Sequence, residues 1–321
     1  MPARVLYGDL SKYGHVTLAL GRAGGIPDTY ERLPCSSVEQ LEGGLSGFLR
    51  ANDALELDAA AFSASGWEQA GGLSMHNHNF SISRSWLKDV LRIQRLHLVN
   101  DCVAMAMAVD QTARGDLVEI HSGTGDDQSV KALIAAGIGL GTAMLTEEDG
   151  RSIVLPCEGG HSSLPVAGDE EIAVARILRR GMTHLSRETA ISFTGLAAIH
   201  AALSEVHGEA ASGDSTDIIA RAHAGDALAA RSVGLALDWL AAMASDLVLM
   251  YGARGGIYLS GALLEQIADL IDPVAFSRRY ADKGRLSDYV SGVPVYHFTL
   301  QDQMIRGLST LFHDYHQLGV I

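Results

Sequence analysis

The sequence predicts an α/β protein built as two domains. At 321 residues, the chain exceeds the size that one hydrophobic core usually serves. Short apolar runs typical of buried strands alternate along it with segments whose apolar residues recur at helical spacing. The composition, 47% hydrophobic and 19% charged, supplies enough apolar side chains for a sizeable core.

The first half begins with a predicted β-hairpin. Apolar residues 5–7 lead to Gly8 and Asp9, and the apolar pattern resumes at Val16, so the acidic residue lies at the hairpin tip. The pattern then predicts a helix, a short buried strand, a second helix and a second buried strand, at residues 37–51, 59–64, 83–91 and 96–99. Asn100 and Asp101 end that last strand and lead into another helical segment. Because ligands collect at the carboxyl ends of strands in open α/β sheets, this pair is a candidate functional position.

A second cycle of the same kind begins near Leu117. A strand at 118–120 precedes two strands joined through the sequence GIGLG within 131–145, a repetition of the opening hairpin that is consistent with an internal duplication. The remaining predicted elements are helices at 169–178, 216–224 and 226–250, with a break at Gly225, a strand at 255–261 ending in a glycine turn, and a closing helix at 304–318. That last helix would return to the first domain.

Charge and cysteine content exclude several classes of function. The net charge of −14 disfavours binding to nucleic acid and to anionic membranes. The first residues lack a basic segment followed by an apolar one, and no run of about 18 uninterrupted apolar residues occurs, so we expect a soluble, cytoplasmic protein. Cys35, Cys102 and Cys157 are far apart and odd in number, which favours three buried, unpaired thiols over a disulfide framework or a zinc site.

An ordered set of motifs runs through almost the whole chain. Together with the Gly-Asp pair near the start, it comprises HNHNFSIS, LVNDCVAMAMA, GIGLGTAML, LPCEGGHSSLPV with DEEIAVARILR, GGIYLSGALLE and DKGRLSDYVSGVPVY. In this order and spacing the sequence resembles the bacterial (proteobacterial-type) glucokinase family, within the sugar kinase, hexokinase and actin-like ATPase superfamily.

The resemblance implies a specific architecture and activity. The fold would be α/β, of the two-domain ribonuclease H-like (actin-like ATPase) type, with mixed sheets flanked by helices and an interdomain cleft. Residues 1–110 plus 303–321 would form the small domain and 111–302 the large one. The resemblance further implies a homodimer that performs a glycolytic reaction, the transfer of a phosphoryl group from ATP to the 6-hydroxyl of D-glucose with Mg²⁺ near Asp9.

The resemblance also assigns the sugar side of the site. Asn100 and Asp101 would bind the sugar, with Asp101 as the general base that takes the proton from the 6-hydroxyl. Glu158, His161 and Glu188 would hydrogen-bond the remaining hydroxyls. Fixed carboxylates, amides and imidazoles are the groups that distinguish hydroxyl stereochemistry, and phosphoryl transfer needs a carboxylate beside the attacking hydroxyl. Taken alone, an Asn-Asp pair after a strand would more often cap a helix, and His76 and His78 would more often lie in a polar loop than bind a metal.

The nucleotide side departs from the family pattern at three places. In the first phosphate loop, the family has Asp-x-Gly-Gly-Thr-Asn, and this chain has DLSKYGH at residues 9–15. In the second, the family's Gly-Thr-Gly is replaced by Gly137-Ile138-Gly139. The family's Ser-Gly-x-Gly turn is replaced by Ser192-Phe193-Thr194-Gly195. In the first phosphate loop only Asp9 is clearly kept. Asp9, Ser11, Lys12, Gly137, Gly139 and Gly261 are the expected cofactor-binding residues.

Two interpretations of these departures stay open. In the first, the protein is an active kinase in which Lys12 supplies a point charge to the β- or γ-phosphate and Ser11 replaces the lost hydroxyl. In the second, it binds sugar but has impaired catalysis and acts as a sensor or regulatory subunit. A DNA-binding regulator is disfavoured, because no helix-turn-helix segment precedes Asp9 and the charge is acidic. The identity of the hexose and of the phosphoryl donor, ATP, ADP or polyphosphate, is also open.

Overall fold

The computed structural model describes residues 4–23, 25–69, 71–75 and 80–317. The chain divides into two compact units. The first contains the residues up to 113, residues 147–156 and those from 300 onward, and the second contains residues 114–146 and 157–299. The sequence assigns residues 147–156 to the large domain, whereas in the structure they group with the first unit.

The first unit is built on a five-stranded sheet. Along the chain its elements are β1 (Arg4–Asp9), β2 (His15–Arg22), β3 (Thr29–Pro34), α1 (Val38–Ala51), β4 (Ala59–Ala64), β5 (Gly66–Gln69), β6 (Gly72–Met75), β7 (Ile82–Ser83), α2 (Arg84–Leu91), β8 (Arg95–Asn100) and α3 (Asp101–Val109). The main sheet has the order β3-β2-β1-β4-β8, and β5-β6-β7 form a small separate sheet. The predicted hairpin is confirmed as antiparallel β1 and β2, and β1, β4 and β8 are parallel neighbours.

Local sequence explains why these segments adopt their structure. The side chain of Ser37 accepts a hydrogen bond from the backbone N–H of Gln40 and so caps α1. The apolar residues at helical spacing, Leu41, Leu45 and Phe48, are buried. All six residues of β4 are buried, as expected for a central parallel strand.

The second unit repeats this strand pattern. Continuing along the chain, the elements are β9 (Leu117–His121), β10 (Lys131–Ala136), β11 (Leu140–Glu148), β12 (Arg151–Cys157), α4 (Gly168–Leu178), α5 (Phe193–His207), α6 (Ser215–His223), α7 (Ala227–Tyr251), β13 (Ile257–Ser260), α8 (Ala262–Ile267), α9 (Pro273–Ala281), α10 (Ser287–Ser291), β14 (Val295–Phe298) and α11 (Gln303–Gln317). Of these, α11 and residues 151–156 of β12 group with the first unit. The sheet order is β12-β11-β10-β13-β14-β9. An antiparallel hairpin, β10 and β11, is again followed by parallel strands, β13 and β14.

The long helix α7 organises the core of the second unit. Trp239 is fully buried on it, and α5, α6 and α9 pack against it. Gly225, with φ of +87°, separates α6 from α7 as predicted. Within the described residues α7 is the one helix long and apolar enough to cross a membrane by length and composition, and 72% of its most apolar 18-residue window is buried in the protein. A mostly buried core helix also meets these criteria of length and composition.

The closing helix α11 belongs to the first unit, where it packs on α3. Gly307 permits this close approach, because a Cβ atom there would lie 1.7 Å from the carbonyl oxygen of Ala104. The predicted helix reaches Leu318, which lies outside the described residues, and the observed helix ends at Gln317.

Two sequence expectations need correction. The resemblance aligns residues 192–195 with a glycine turn, but in the structure they begin helix α5. Ser192 caps this helix, because its hydroxyl accepts from Gly195 N at 3.0 Å. Cys35 and Cys102 are buried as expected, whereas Cys157 is only half-buried, and its Sγ lies 3.0 Å from Thr142 Oγ1.

Candidate functional site

In the first unit, polar side chains meet at the carboxyl ends of three parallel strands. The register pairs Asp9 of β1 with Ser63 of β4, and Ala64 of β4 with Asn100 of β8. Asp101 follows directly as the first residue of α3. Parallel pairing therefore brings the ends of β1, β4 and β8, and the side chains they carry, to one edge of the sheet.

Asn100 and Asp101 are both held in place by the start of α3. Asn100 Oδ1 accepts from Cys102 N at 2.8 Å, which makes it the helix cap, and its Nδ2 donates to Gly66 O at 2.7 Å. Asp101 Oδ1 accepts from the same Cys102 N at 2.9 Å, and its Oδ2 accepts from Ser65 Oγ. The pair thus caps the helix, and the Asp101 carboxylate is half-exposed in the first turn, where the helix dipole favours negative charge.

Ser65 is a site residue that the sequence analysis missed. It follows the buried strand β4, and its hydroxyl lies between Asp101 Oδ2 and the backbone oxygen of Ser11, 3.5 Å away. A single serine after a strand carries no periodic signal, so only the register of β4 against β8 reveals this contact.

Asp9 lies deeper than a surface turn residue. It is 6% exposed and accepts three hydrogen bonds of 3.0 Å, from Ser11 N, Ser11 Oγ and Ser63 Oγ. Burial raises its pKa above the ordinary value, these hydrogen bonds oppose the rise, and the charge of Asp101 adds to it. A nearby cation would relieve both the burial and the repulsion, so this carboxylate suits Mg²⁺, which is usually held by one or two carboxylates plus phosphate oxygens.

The turn after Asp9 differs from a glycine-lined phosphate loop. Gly14, with φ of +70°, supplies the left-handed residue, and its carbonyl accepts from Cys35 N at 2.8 Å. The Ser11 hydroxyl, expected to reach a phosphate, donates to Asp9. Lys12 is exposed and forms no ion pair with any described residue, so its ammonium group is available to an anion.

In the second unit the EGGH loop and Glu188 are adjacent. Residues 159–161 form a single 3₁₀ turn after Glu158. Gly159 N donates to Thr142 Oγ1 at 3.0 Å, and Glu188 N donates to Gly160 O at 2.9 Å. The side chains of Glu158 and His161 are exposed and make no hydrogen bond to the rest of the described chain, so both can bind a ligand.

The glycine turn 137–139 lies against the same segment. Glu188 Oε2 accepts from Leu140 N at 3.0 Å, and a Cβ on Gly139 would stand 2.8 Å from that oxygen. Gly137 O accepts from Phe193 N at 2.9 Å, at the start of α5. Gly139, expected on the nucleotide side, therefore also makes room for the carboxylate expected on the sugar side.

Gly261 ends β13 beside the end of β10. Its φ is +104°, and a Cβ there would lie 2.3 Å from Ala136 O, so only glycine fits. Since β10 and β13 are parallel neighbours, Gly137 and Gly261 follow adjacent strand ends. Ile138, at the tip of the first of these turns, is 63% exposed.

The expected site residues therefore form one cluster in each unit. Asp9, Ser11, Lys12, Asn100 and Asp101 belong to the first, and the second contains Glu158, His161, Glu188, Gly137, Gly139 and Gly261. His76 and His78 lie outside the described residues. In the described part of the chain, no group of three His, Cys, Asp or Glu side chains is placed to hold a metal ion.

Comparison with known proteins identifies the relatives of this chain. Residues 14–315 match the sequence profile of the Glucokinase family. A glucokinase-like protein of Caulobacter vibrioides is 34% identical over 299 residues, 92% of this chain and 93% of that protein. A glucokinase of Xanthomonas campestris is 38% identical over 224 residues, 68% of this chain and 67% of that protein.

A solved structure agrees with the sequence relatives. The crystal structure of a glucokinase from an Antarctic psychrotroph matches with a TM-score of 0.87 and 26% sequence identity, over 98% of this chain and 99% of that one. This match confirms the expected α/β fold of the actin-like ATPase type. Because the profile spans nearly the whole chain and the fold is the same, the chain belongs to the glucokinase family of sugar kinases.

Proposed function

We propose that this protein transfers the terminal phosphoryl group of ATP to the 6-hydroxyl of D-glucose. The observation that carries the proposal is the state of Asp101. Its carboxylate is fixed at the start of α3 by Ser65 and Cys102 N and remains half-exposed, as a base needs to be when it meets a substrate hydroxyl. In this role Asp101 takes the hydroxyl proton as the oxygen attacks the phosphorus atom.

The remaining polar groups divide between binding the sugar and binding the phosphates. Asn100, Glu158, His161 and Glu188 read the hydroxyls that do not react. Because such groups are left unpaired by a sugar of the wrong configuration, they favour one hexose over its epimers. The resemblance to glucokinases supports glucose as that hexose.

On the donor side, Lys12 supplies positive charge to the phosphates, and Asp9 would hold Mg²⁺ by one carboxylate. Bound Mg²⁺ neutralises charge on the phosphoryl group in transfer. The exposure of Lys12 supports this part of the proposal. At Ile138, an exposed alkyl side chain stands in place of the threonine hydroxyl of the family's Gly-Thr-Gly motif. We further propose that the enzyme is cytoplasmic, as expected from the sequence, and that it is a homodimer, as the resemblance implies.

The test is a coupled assay for glucose 6-phosphate with ATP and Mg²⁺, run beside calorimetric titration of glucose into the same protein. We expect both turnover and binding. Lys12→Met should raise the KM for ATP and leave the KM for glucose unchanged, whereas the control Lys88→Met, on α2, should change neither. Glucose binding without turnover, with ATP, ADP or polyphosphate as the phosphoryl donor, would refute the kinase proposal. The protein would then be one that binds sugar without phosphorylating it.

A further inference from the structure

The segment that carries Glu188 is paired with the EGGH loop through backbone hydrogen bonds. Glu188 N donates to Gly160 O at 2.9 Å, Arg187 N to Ser162 O at 2.9 Å, and Leu164 N to Leu185 O at 3.0 Å. Residues 160–164 and 185–188 therefore move together, and the orientation of Glu188 depends on what fixes this pair.

The side chain of Arg187 anchors the pair to helix α7. It is 8% exposed, its Nε donates to Ser163 O at 3.4 Å, and one terminal nitrogen donates to Asp246 Oδ2 at 2.6 Å. The Arg187 guanidinium thus links the segment that carries Glu188 to Ser163 of the neighbouring loop and to Asp246 of helix α7.

Lys283 completes the arrangement from the motif DKGRLSDYVSG, to which the proposed reaction assigns no role. Its Nζ donates to Asp246 Oδ1 at 2.6 Å, and its side chain is 16% exposed. The motif folds into its own turn, in which Leu286 N donates to Lys283 O at 3.1 Å and Ser287 Oγ to Gly284 O at 2.8 Å. This turn holds the ammonium group in place, so each oxygen of Asp246 has a separate cation.

The ion pairs of Arg187 and Lys283 with Asp246 hold the three side chains in a fixed geometry. Charge-assisted hydrogen bonds are short and directional, and the side chains of Arg187, Asp246 and Lys283 are mostly removed from water, with 8%, 21% and 16% exposed. Removing Asp246 leaves two cations without their carboxylate, and removing Lys283 leaves one oxygen of that carboxylate without its hydrogen-bond donor, so either change allows the neighbouring backbone to rearrange. The groups attached to the cluster, above all the backbone on either side of Arg187, would then lose their fixed geometry.

We propose that Arg187, Asp246 and Lys283 form a positioning cluster that fixes Glu188 and the EGGH loop for reading sugar hydroxyls, an inference that rests on the proposed function. These residues do not touch the sugar themselves. They act by holding the residues that do, so a loosened cluster weakens sugar binding and lowers discrimination between glucose and its epimer mannose. The turn 137–139, expected on the nucleotide side, is linked to the cluster through Glu188, whose Oε2 accepts from Leu140 N, so we expect the nucleotide affinity to change less than the sugar affinity.

The experiment compares the wild-type protein with Lys283→Met, Lys283→Arg and the control Glu205→Gln. Glu205 forms an exposed pair with Arg180 in the same unit, at 2.7 Å. Lys283→Met should raise the KM for glucose about 3- to 30-fold and lower the glucose-to-mannose preference, with the KM for ATP changed by less than about twofold. Lys283→Arg keeps the charge and should restore most of the wild-type values, and Glu205→Gln should match the wild type.

Hydrogen exchange of the protein without ligand gives a readout independent of activity. In Lys283→Met, peptides covering 158–164 and 185–189 should exchange faster than in the wild type and in Glu205→Gln. Unchanged exchange in these peptides, or an unchanged KM for glucose in an active enzyme, would overturn the inference. If the wild type turns over no hexose, the proposed function fails, and exchange alone decides the positioning role. If Lys283→Met does not fold, Asp246→Asn, which keeps the side-chain size, replaces it.

Discussion

Replacing Asp101 by asparagine should abolish turnover and leave the protein folded with most of its sugar-binding capacity. Asparagine keeps the shape of the side chain and the Oδ1 acceptor for Cys102 N, while its new amide group can donate to Ser65 Oγ. Loss of one negative charge from the first turn of α3 costs about 0.3–1 kcal/mol. The unfolding free energy should therefore change little.

The effect on the reaction should be much larger. Loss of a general base lowers kcat by about 10²–10⁴-fold, which corresponds to about 3–5 kcal/mol of activation free energy. The assay is coupled detection of glucose 6-phosphate, with calorimetry of glucose binding on the same preparation. The control is Asp110→Asn, the same chemical change on the exposed residue that follows the other end of α3. A kcat within about threefold of the wild type, well short of the loss expected for a base, would refute the assigned role of Asp101.

Three further predictions concern the second unit. Ile138→Thr restores a hydroxyl at a position that is 63% exposed, so the unfolding free energy should stay within about 0.5 kcal/mol of the wild type. The KM for ATP should fall about 2- to 10-fold, because the hydroxyl can bond to a phosphate. A rise in the KM for ATP would contradict the placement of this residue on the phosphate side. Thr142→Val removes the acceptor of Gly159 N and should lower the unfolding free energy in urea by about 1–3 kcal/mol. The control is Ser245→Ala, because among the described residues the Ser245 hydroxyl donates to carbonyls of its own helix, and it should cost less than about 0.5 kcal/mol. Equal costs for the two variants would refute the reasoning. Burial lowers the pKa of His200 below its ordinary 6.5, and the charge of Arg221 lowers it further. As the pH falls, the unfolded state therefore binds a proton before the folded state does, and the free energy of unfolding should decrease as the pH drops through about 6.5. His200→Gln should flatten this dependence, and an unchanged slope between pH 5 and 7 would assign it to another group.

Local patterns in the sequence predict most of the elements and the family motifs predict the site, because both lie in short stretches. Leu41, Leu45 and Phe48 predict α1 from their spacing alone, and β10 and β11 follow from the apolar runs around GIGLG. The sequence pattern does not predict helix α5, because its capping serine lies in a motif that resembles a glycine turn.

Contacts between distant parts of the chain could not be predicted in this way. Asp246 lies 59 residues from Arg187 and 37 residues from Lys283, so no window of the sequence contains the cluster. Ser65 meets Asp101 only through the register of two strands. Such contacts are fixed by tertiary packing, which single-sequence periodicity does not encode.

The return of α11 to the first unit has a consequence for how the protein is made. All residues of the second unit, up to 299, leave the ribosome before α11 does, whereas the first unit lacks α11 until residues 300–317 have been synthesised. Domains generally fold as units during synthesis, at about 5–20 residues per second. The unit that is translated first is therefore completed last. Until then the surface of α3 around Ala104, which Gly307 later covers, is open to chaperones and proteases.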